Sequence, residues 1–576
     1  MPLGTATTDV VDAVVRACQN ISVSSPCFKR DASPGLVESV RRIEKQADAC
    51  HDSLAILGIP SNVALWGLLT GSVSVLEELA ARHGDQSKAF SVALDNVSRF
   101  APIAMKWVVE YGKPPSSLAQ RRWIALTMKS ERALSVADKY SAFCACLPMW
   151  HKNRLAAEVA SETLVRFTAL GSGRDRQVMA HLSGFRPGTG RWKGESAKKV
   201  EPTHHMRDLF ASVLETSRKT GSSRFAYSDP WALWRELLAE YQAQVAGITR
   251  RPDSLSLGPY TLGHFKQFYA ALLAVCAAHE FLCFQWAQKF GAFPFDSAVL
   301  IRSLPNWVDA LSTLSGVSHD ECKAIMRDLT FDFARSLDLH VHPFLPLDHS
   351  TMRVALAPQF PLHSLPDENI LRVCSNVRPS SFDATSIEKE PEMIAALQEV
   401  ISTFQLQGPV PLPNPIPDID FIVSDELSST VVFAETKWVR KTSRPVEFQD
   451  RDAEVRKGIS QLEKIREFLA CNPGHLRSQG KLPRKVSEYE RVYYLVVARD
   501  HWLWVEPTED SAIVEFDAFS TALGRSGSLR AAVEDLLKYD WLPVEGRDFS
   551  VQFDRAMTNG VAIEFEAFYA PVGSGG

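Results

Sequence analysis

Residues 417–438 read PDIDFIVSDELSSTVVFAETKW, and this stretch decides the fold around it. Residues 419–424 and 430–438 are rich in β-branched and aromatic side chains, and the polar run 425–429 separates them, which predicts a β-hairpin. Side chains alternate across a strand. Glu435 and Lys437 therefore leave one face of the second strand, while Asp418 and Asp420 share a face of the first. Carboxylates gathered in this way suit a hard divalent cation such as Mg²⁺, which takes one or two protein carboxylates and fills its other positions with water and phosphate oxygens. A nearby ammonium can orient a nucleophile or offset charge growing on a phosphodiester. The chemistry expected is phosphodiester hydrolysis.

The order Pro417-Asp418, a spacer, then Glu435-Thr436-Lys437 resembles the PD-(D/E)XK nuclease superfamily, the restriction-endonuclease-like fold. The resemblance covers roughly residues 380–510. It implies an αβββαβ core: a helix over 387–404, the hairpin, a helix over 452–470 and a strand over 491–498. It also implies Mg²⁺ or Mn²⁺ as cofactor, with metal ligands drawn from Asp418, Asp420 and Glu435 and catalysis by these residues together with Lys437. The literal motif points to Asp418. Asp420, directly before the apolar run 421–423, stands where many members place the ligand.

In the first helix, Glu390, Met393, Ile394, Leu397, Val400, Ile401 and Phe404 share a stripe, with Glu392, Ala396, Glu399 and Thr403 opposite. Members of the family often direct a Glu from this helix to the metal, which makes Glu390 a candidate. The alternative is that Glu390 complements the helix dipole beside Pro391. In the second helix Val455, Ile459, Leu462, Ile465 and Leu469 form the core stripe. Gln461 resembles a supporting Gln of some family members, although the Tyr that often follows four residues later is Ile465 here.

From Lys437 through Arg491 there are fourteen Lys and Arg against eight Asp and Glu, within a chain of net charge −5. A basic surface beside a metal motif suits a polyanion, so nucleic acid is the expected partner, DNA favoured over RNA. The competing explanation is a solvated helix face and loop.

The chain has 576 residues, 45% hydrophobic and 23% charged, as expected of a multidomain soluble protein. None of its ten cysteines forms a CxxC pair, and several lie in apolar helical runs, which points to a reducing, cytoplasmic setting. No membrane partner is expected: residues 269–287 are apolar but interrupted by His279, Glu280 and Gln285, which predicts a buried helix.

The predicted organisation is a mainly α-helical region over 1–336, a mixed transition segment over 337–383 and the α/β nuclease-like domain, with a mixed sheet, over 384–576. Helical periodicity covers 53–84, 89–111, 117–170, 229–246, 262–290 and 318–336, with a Gly-, Pro- and Lys-containing break over 186–205. A second constellation, Asp338, His340, His342, Asp348 and His349, could ligate zinc or manganese or simply line an interface. The proline-alternating run 408–417 predicts a stiff connector.

With no GxGxxG turn, Walker loop or nucleophile motif, two functional classes remain. One is a metal-dependent nuclease of restriction, repair or anti-phage defence, whose helical region engages substrate, a protein partner or a second copy of the chain. The other is a catalytically silent nuclease-like module that binds nucleic acid or acts as a scaffold.

Overall fold

The computed structural model describes residues 33–569 apart from 85–87, 119–121, 153, 170–172, 183–199, 220–223, 247–252, 335–337, 349–351, 364–372, 374–376, 379, 381–388, 402, 439–446, 500–504 and 506–510. Two compact units are present, and neither is contiguous in sequence. One comprises 1–47, 143–192 and 386–576; the other comprises 48–142 and 193–385.

The first unit is built on a five-stranded mixed sheet. In chain order the elements that build and flank it are β1 (Leu155–Ser161), β2 (Leu164–Ala169), α1 (Gly173–Leu182), α2 (Lys389–Val400), β3 (Gln405–Gln407), β4 (Phe421–Asp425), β5 (Thr430–Trp438), α3 (Glu447–Cys471), β6 (Arg491–Arg499), β7 (Ala512–Glu515), α4 (Phe516–Arg525), α5 (Leu529–Leu537), β8 (Ser550–Thr558) and β9 (Val561–Tyr569); a helix over Pro34–Asp48 and two short turns of helix, His475–Ser478 and Val486–Glu488, also belong to the unit. The sheet runs β7-β6-β5-β4-β3. β3, β4 and β5 form an antiparallel meander, whereas β6 lies parallel to β5 after the α3 crossover, and β7 lies parallel to β6.

Alternation along the strands builds two apolar layers. Val431, Phe433, Val496, Ala498 and Ile513 pack with Val455, Ile459, Leu462, Ile465 and Leu469 of α3 and with Val178 of α1. On the other face Phe421, Val423, Val432, Ala434 and Val497 pack with Met393, Ile394 and Leu397 of α2 and with α4 and α5. Leu462 and Val496 thus lie on the opposite side of the sheet from Ile394, Leu397, Phe421, Val423 and Val432.

Residues 155–169 correct the helix expected over 117–170. The helix Trp123–His151 ends first, and β1 and β2 follow as an antiparallel hairpin. Alanine-rich local sequence has a helical period, but β2 finds a parallel partner in β9, and this non-local pairing prevails. The resulting second sheet, β1-β2-β9-β8, joins 143–192 to the C-terminal segment. A boundary near 384 therefore marks only where the last of three segments begins.

The second unit is mainly helical. Its principal cores surround the helices Ser61–His83 and Leu262–Phe290, and a small antiparallel sheet joins Leu300–Ser303, Arg353–Leu356 and Leu345–Asp348. Stretches in both helices are long and apolar enough to cross a membrane, but 61% and 78% of them are buried inside the fold, as in core helices.

Candidate active site

β5 carries Glu435 and Lys437 on the α3 side of the sheet, following Val431 and Phe433. Both are buried, and Lys437 Nζ donates to Glu435 Oε1 at 2.5 Å. The lysine reaches its partner beneath α3 at Gly458. A Cβ there would stand 3.1 Å from Lys437 Cε and 3.3 Å from Val496 Cγ1, closer than ordinary packing. Glycine inside a helix costs about 1 kcal/mol relative to alanine. Here it makes room for the lysine stem.

Asp420 directly precedes β4. The register pairs Phe421 with Ala434, so one further step sets Asp420 opposite Glu435. Its Oδ2 accepts the Thr436 backbone N–H at 2.6 Å and the Thr436 hydroxyl at 2.8 Å. Burial pushes the Asp420 pKa up, and the two Thr436 donors and Lys437 oppose that shift. Asp418 adds to the upward shift as a like charge.

Asp418 is itself exposed, and its Oδ1 accepts from Leu412 N at 3.2 Å, closing the 410–418 connector. Just before that connector the chain passes close to Asp420: a Cβ at Gly408 would lie 2.2 Å from the Asp420 carbonyl oxygen. Asp420 thus stands at the E-x-K strand, while Asp418 holds the loop leading to it.

Gln461 lies one turn beyond Gly458 on α3, and its Oε1 is buried with no hydrogen-bond donor among the described residues. Glu390 belongs to the first turn of α2, but its side chain lies outside the described residues. α2 packs on the sheet face opposite Glu435 and Lys437.

The Asp420 and Glu435 carboxylates could act as oxygen ligands, and the Gln461 Oε1, buried without a donor one turn beyond Gly458, is a further hard oxygen. Such a set fits Mg²⁺, which needs few protein ligands. Among the described residues no group of three or more His, Cys, Asp or Glu stands ready to hold a metal. In the Asp338–His349 constellation, His342 Nδ1 instead meets the Asp328 carbonyl at 2.9 Å and His340 packs on Phe360; His349 lies outside the described residues.

The basic segment is divided in role. Arg484 clasps Glu426 through Nε at 2.9 Å and Nη2 at 2.6 Å and lies over the Tyr489 ring, so its charge is committed within the fold. Lys457 and Lys464 are exposed on α3, and Lys485 is exposed on the following loop. Arg440, Lys441, Arg444 and the Arg451 side chain lie outside the described residues.

Sequence reading missed Thr436 and Gly458. Thr436 is the unspecified position of E-x-K, and Gly458 left one signal, a glycine inside a long helical pattern. The second unit also holds a concavity of about 550 Å³ lined by Arg224, Tyr227, His279 and Arg302 among others. There Tyr227 donates to His279 Nδ1 at 2.6 Å, and burial lowers the His279 pKa to about 4. No protein-family model, curated protein or solved structure matches this chain.

Proposed function

We propose that the chain is a divalent-metal-dependent nuclease of the PD-(D/E)XK type, acting on nucleic acid, with DNA favoured. One observation carries the reading: Glu435 and Lys437 emerge together beneath α3, with Asp420 fixed beside them by Thr436. The order α2-β3-β4-β5-α3-β6, with only the β5–β6 connection parallel, supports it further.

When bound, Mg²⁺ or Mn²⁺ would acidify water and draw charge from a phosphodiester. Asp420 and Glu435 would hold the ion, with Gln461 in support. Thr436 fixes the Asp420 carboxylate, and Lys437 offsets negative charge that grows on the phosphate. Lys457 and Lys464, on the helix above the site, offer phosphate contacts. Restriction, repair or anti-phage defence in the cytoplasm is the setting this chemistry suits, with the helical unit selecting substrate or partner.

A silent module is the second reading, because the Lys437 ammonium already neutralises Glu435 internally. The two are separated by incubating purified protein with plasmid, single-stranded DNA and RNA in Mg²⁺ or Mn²⁺. Cleavage by the parent that is lost in Glu435→Gln and Asp420→Asn is expected. Retention of nucleic acid without cleavage in either metal would favour the silent module, and full cleavage by both variants would remove the site assignment.

A further inference from the structure

The same rim of the sheet carries a second polar pair that the E-x-K motif does not contain. β5, β6 and β7 run parallel, and their register sets Lys437, Ala498 and Glu515 side by side. Paired residues of parallel strands share a face. Ala498 packs in the α3 layer, so Glu515 emerges on the same side as Lys437. Two interstrand spacings put the Glu515 backbone about 10 Å from that of Lys437.

Over Glu515 lies His181, at the end of α1. Its Nε2 stands 3.5 Å from Glu515 Oε2, and the ring packs edge-on against Trp541. The His181 and Lys437 side chains are each 9% exposed.

The placement of His181 is built by long-range contacts. β2 pairs with β9, and within that pairing Arg166 meets Glu564 at 2.8 Å. Arg176 of α1 clasps Glu566 at 2.5 Å, and Val178 and Ala180 seat the helix in the apolar layers. From the same segment Arg154 meets Asp452, near the start of α3, at 3.1 Å. Arg154 and His181 thus stand on the side of the sheet where Glu435 and Lys437 lie.

Resting on the nuclease reading, we infer that His181, oriented by Glu515, is the general acid that protonates the leaving oxygen. The attacking water oxygen forms a bond to phosphorus and loses a proton to solvent. The phosphorus–oxygen bond to the leaving group breaks, its electron pair goes to that oxygen, and the His181 imidazolium supplies the proton that this oxygen takes up. Histidine suits this task because an imidazole exchanges protons near neutral pH, and the Glu515 carboxylate at 3.5 Å fixes the ring's orientation. Lys437 and His181 then flank one phosphodiester from two sides.

The test compares an oligonucleotide with the same oligonucleotide bearing sulfur at the leaving position, since a thiolate departs without a proton. His181→Gln, a polar change of similar size, should lower cleavage of the oxygen ester about 10²-fold or more. It should leave the sulfur ester within about threefold of the parent. Glu515→Gln should show the same selectivity with a smaller loss. Circular dichroism of both variants reports the fold. Equal losses on both esters, or no loss on either, would overturn the inference. A parent protein that cleaves neither ester would overturn the nuclease reading itself, and the general acid with it.

Discussion

Lys437 Nζ stands 2.5 Å from Glu435 Oε1, with both side chains buried beneath α3. Removing one partner of such a pair leaves the other charge buried and uncompensated, at a cost of about 3–5 kcal/mol. Glu435→Ala and Lys437→Ala should therefore lose both stability and cleavage. Glu435→Gln combined with Lys437→Met separates the effects. The double variant should melt close to the parent and cleave nothing. A double variant as unstable as the worse single one would show that the pair is not the source of the coupling.

Asp420 yields a pH prediction. Because burial raises its folded pKa, the native state keeps a proton between the ordinary carboxylate range and the raised value that the unfolded chain has already lost. Stability falls as pH rises through that window and stays lower above it. Asp420→Asn removes this cost, so without metal at pH 7 the variant should melt no lower than the parent. Mg²⁺ at about 100 times its Kd should stabilise the parent by about 2.7 kcal/mol and leave the variant unmoved. Calorimetric scans with and without Mg²⁺ check both points. A Mg²⁺-dependent rise that survives in Asp420→Asn would remove Asp420 from the ligand set.

Gly458→Ala tests whether the helix must open for the lysine. Alanine gains about 1 kcal/mol of helix propensity, while crowding against Lys437 Cε and Val496 Cγ1 costs about 1–3 kcal/mol. The melting temperature should change little. Cleavage should fall about tenfold or more as the ammonium is displaced. A variant with parental kinetics would mean that the Lys437 stem moves aside freely.

Salt dependence separates the committed from the exposed cations. Lys457→Glu with Lys464→Glu should weaken binding similarly across sequences and reduce the log–log salt slope by roughly one unit for each duplex phosphate that is no longer neutralised. Arg484→Glu should instead lower stability, because it breaks the clasp on Glu426 and sets two carboxylates together. An unchanged slope in the α3 variant would show those lysines to be solvated surface.

The hairpin around residue 425 and the α3 stripe were legible because β-branched runs and a 3.6-residue period record local geometry directly. Thr436 was not, since its role depends on an aspartate sixteen residues away across the ladder. β1 and β2 were hidden because Leu155-Ala156-Ala157-Glu158 fits a helix as well as a strand. Only β9, some four hundred residues later, decides between them. His181 was invisible for the same reason: α1 owes its position to Glu566 and to cores formed by distant segments.

That non-local construction decides how fragments of the chain behave. Residues 384–576 alone retain Asp420, Glu435 and Lys437 but lack β1, β2 and α1. β9 then loses its parallel neighbour and presents an open edge, which invites pairing with other chains. Glu564 and Glu566 lose Arg166 and Arg176, and Phe549 loses its packing against Ala180. The fragment should aggregate or melt well below the full chain. Joining residues 143–182 to it through a Gly/Ser linker should restore solubility and a cooperative transition. Size-exclusion chromatography and thermal melts of the two fragments decide the matter. A monomeric 384–576 fragment with a sharp, high transition would show that the second sheet is an accessory to this unit rather than part of what holds it together.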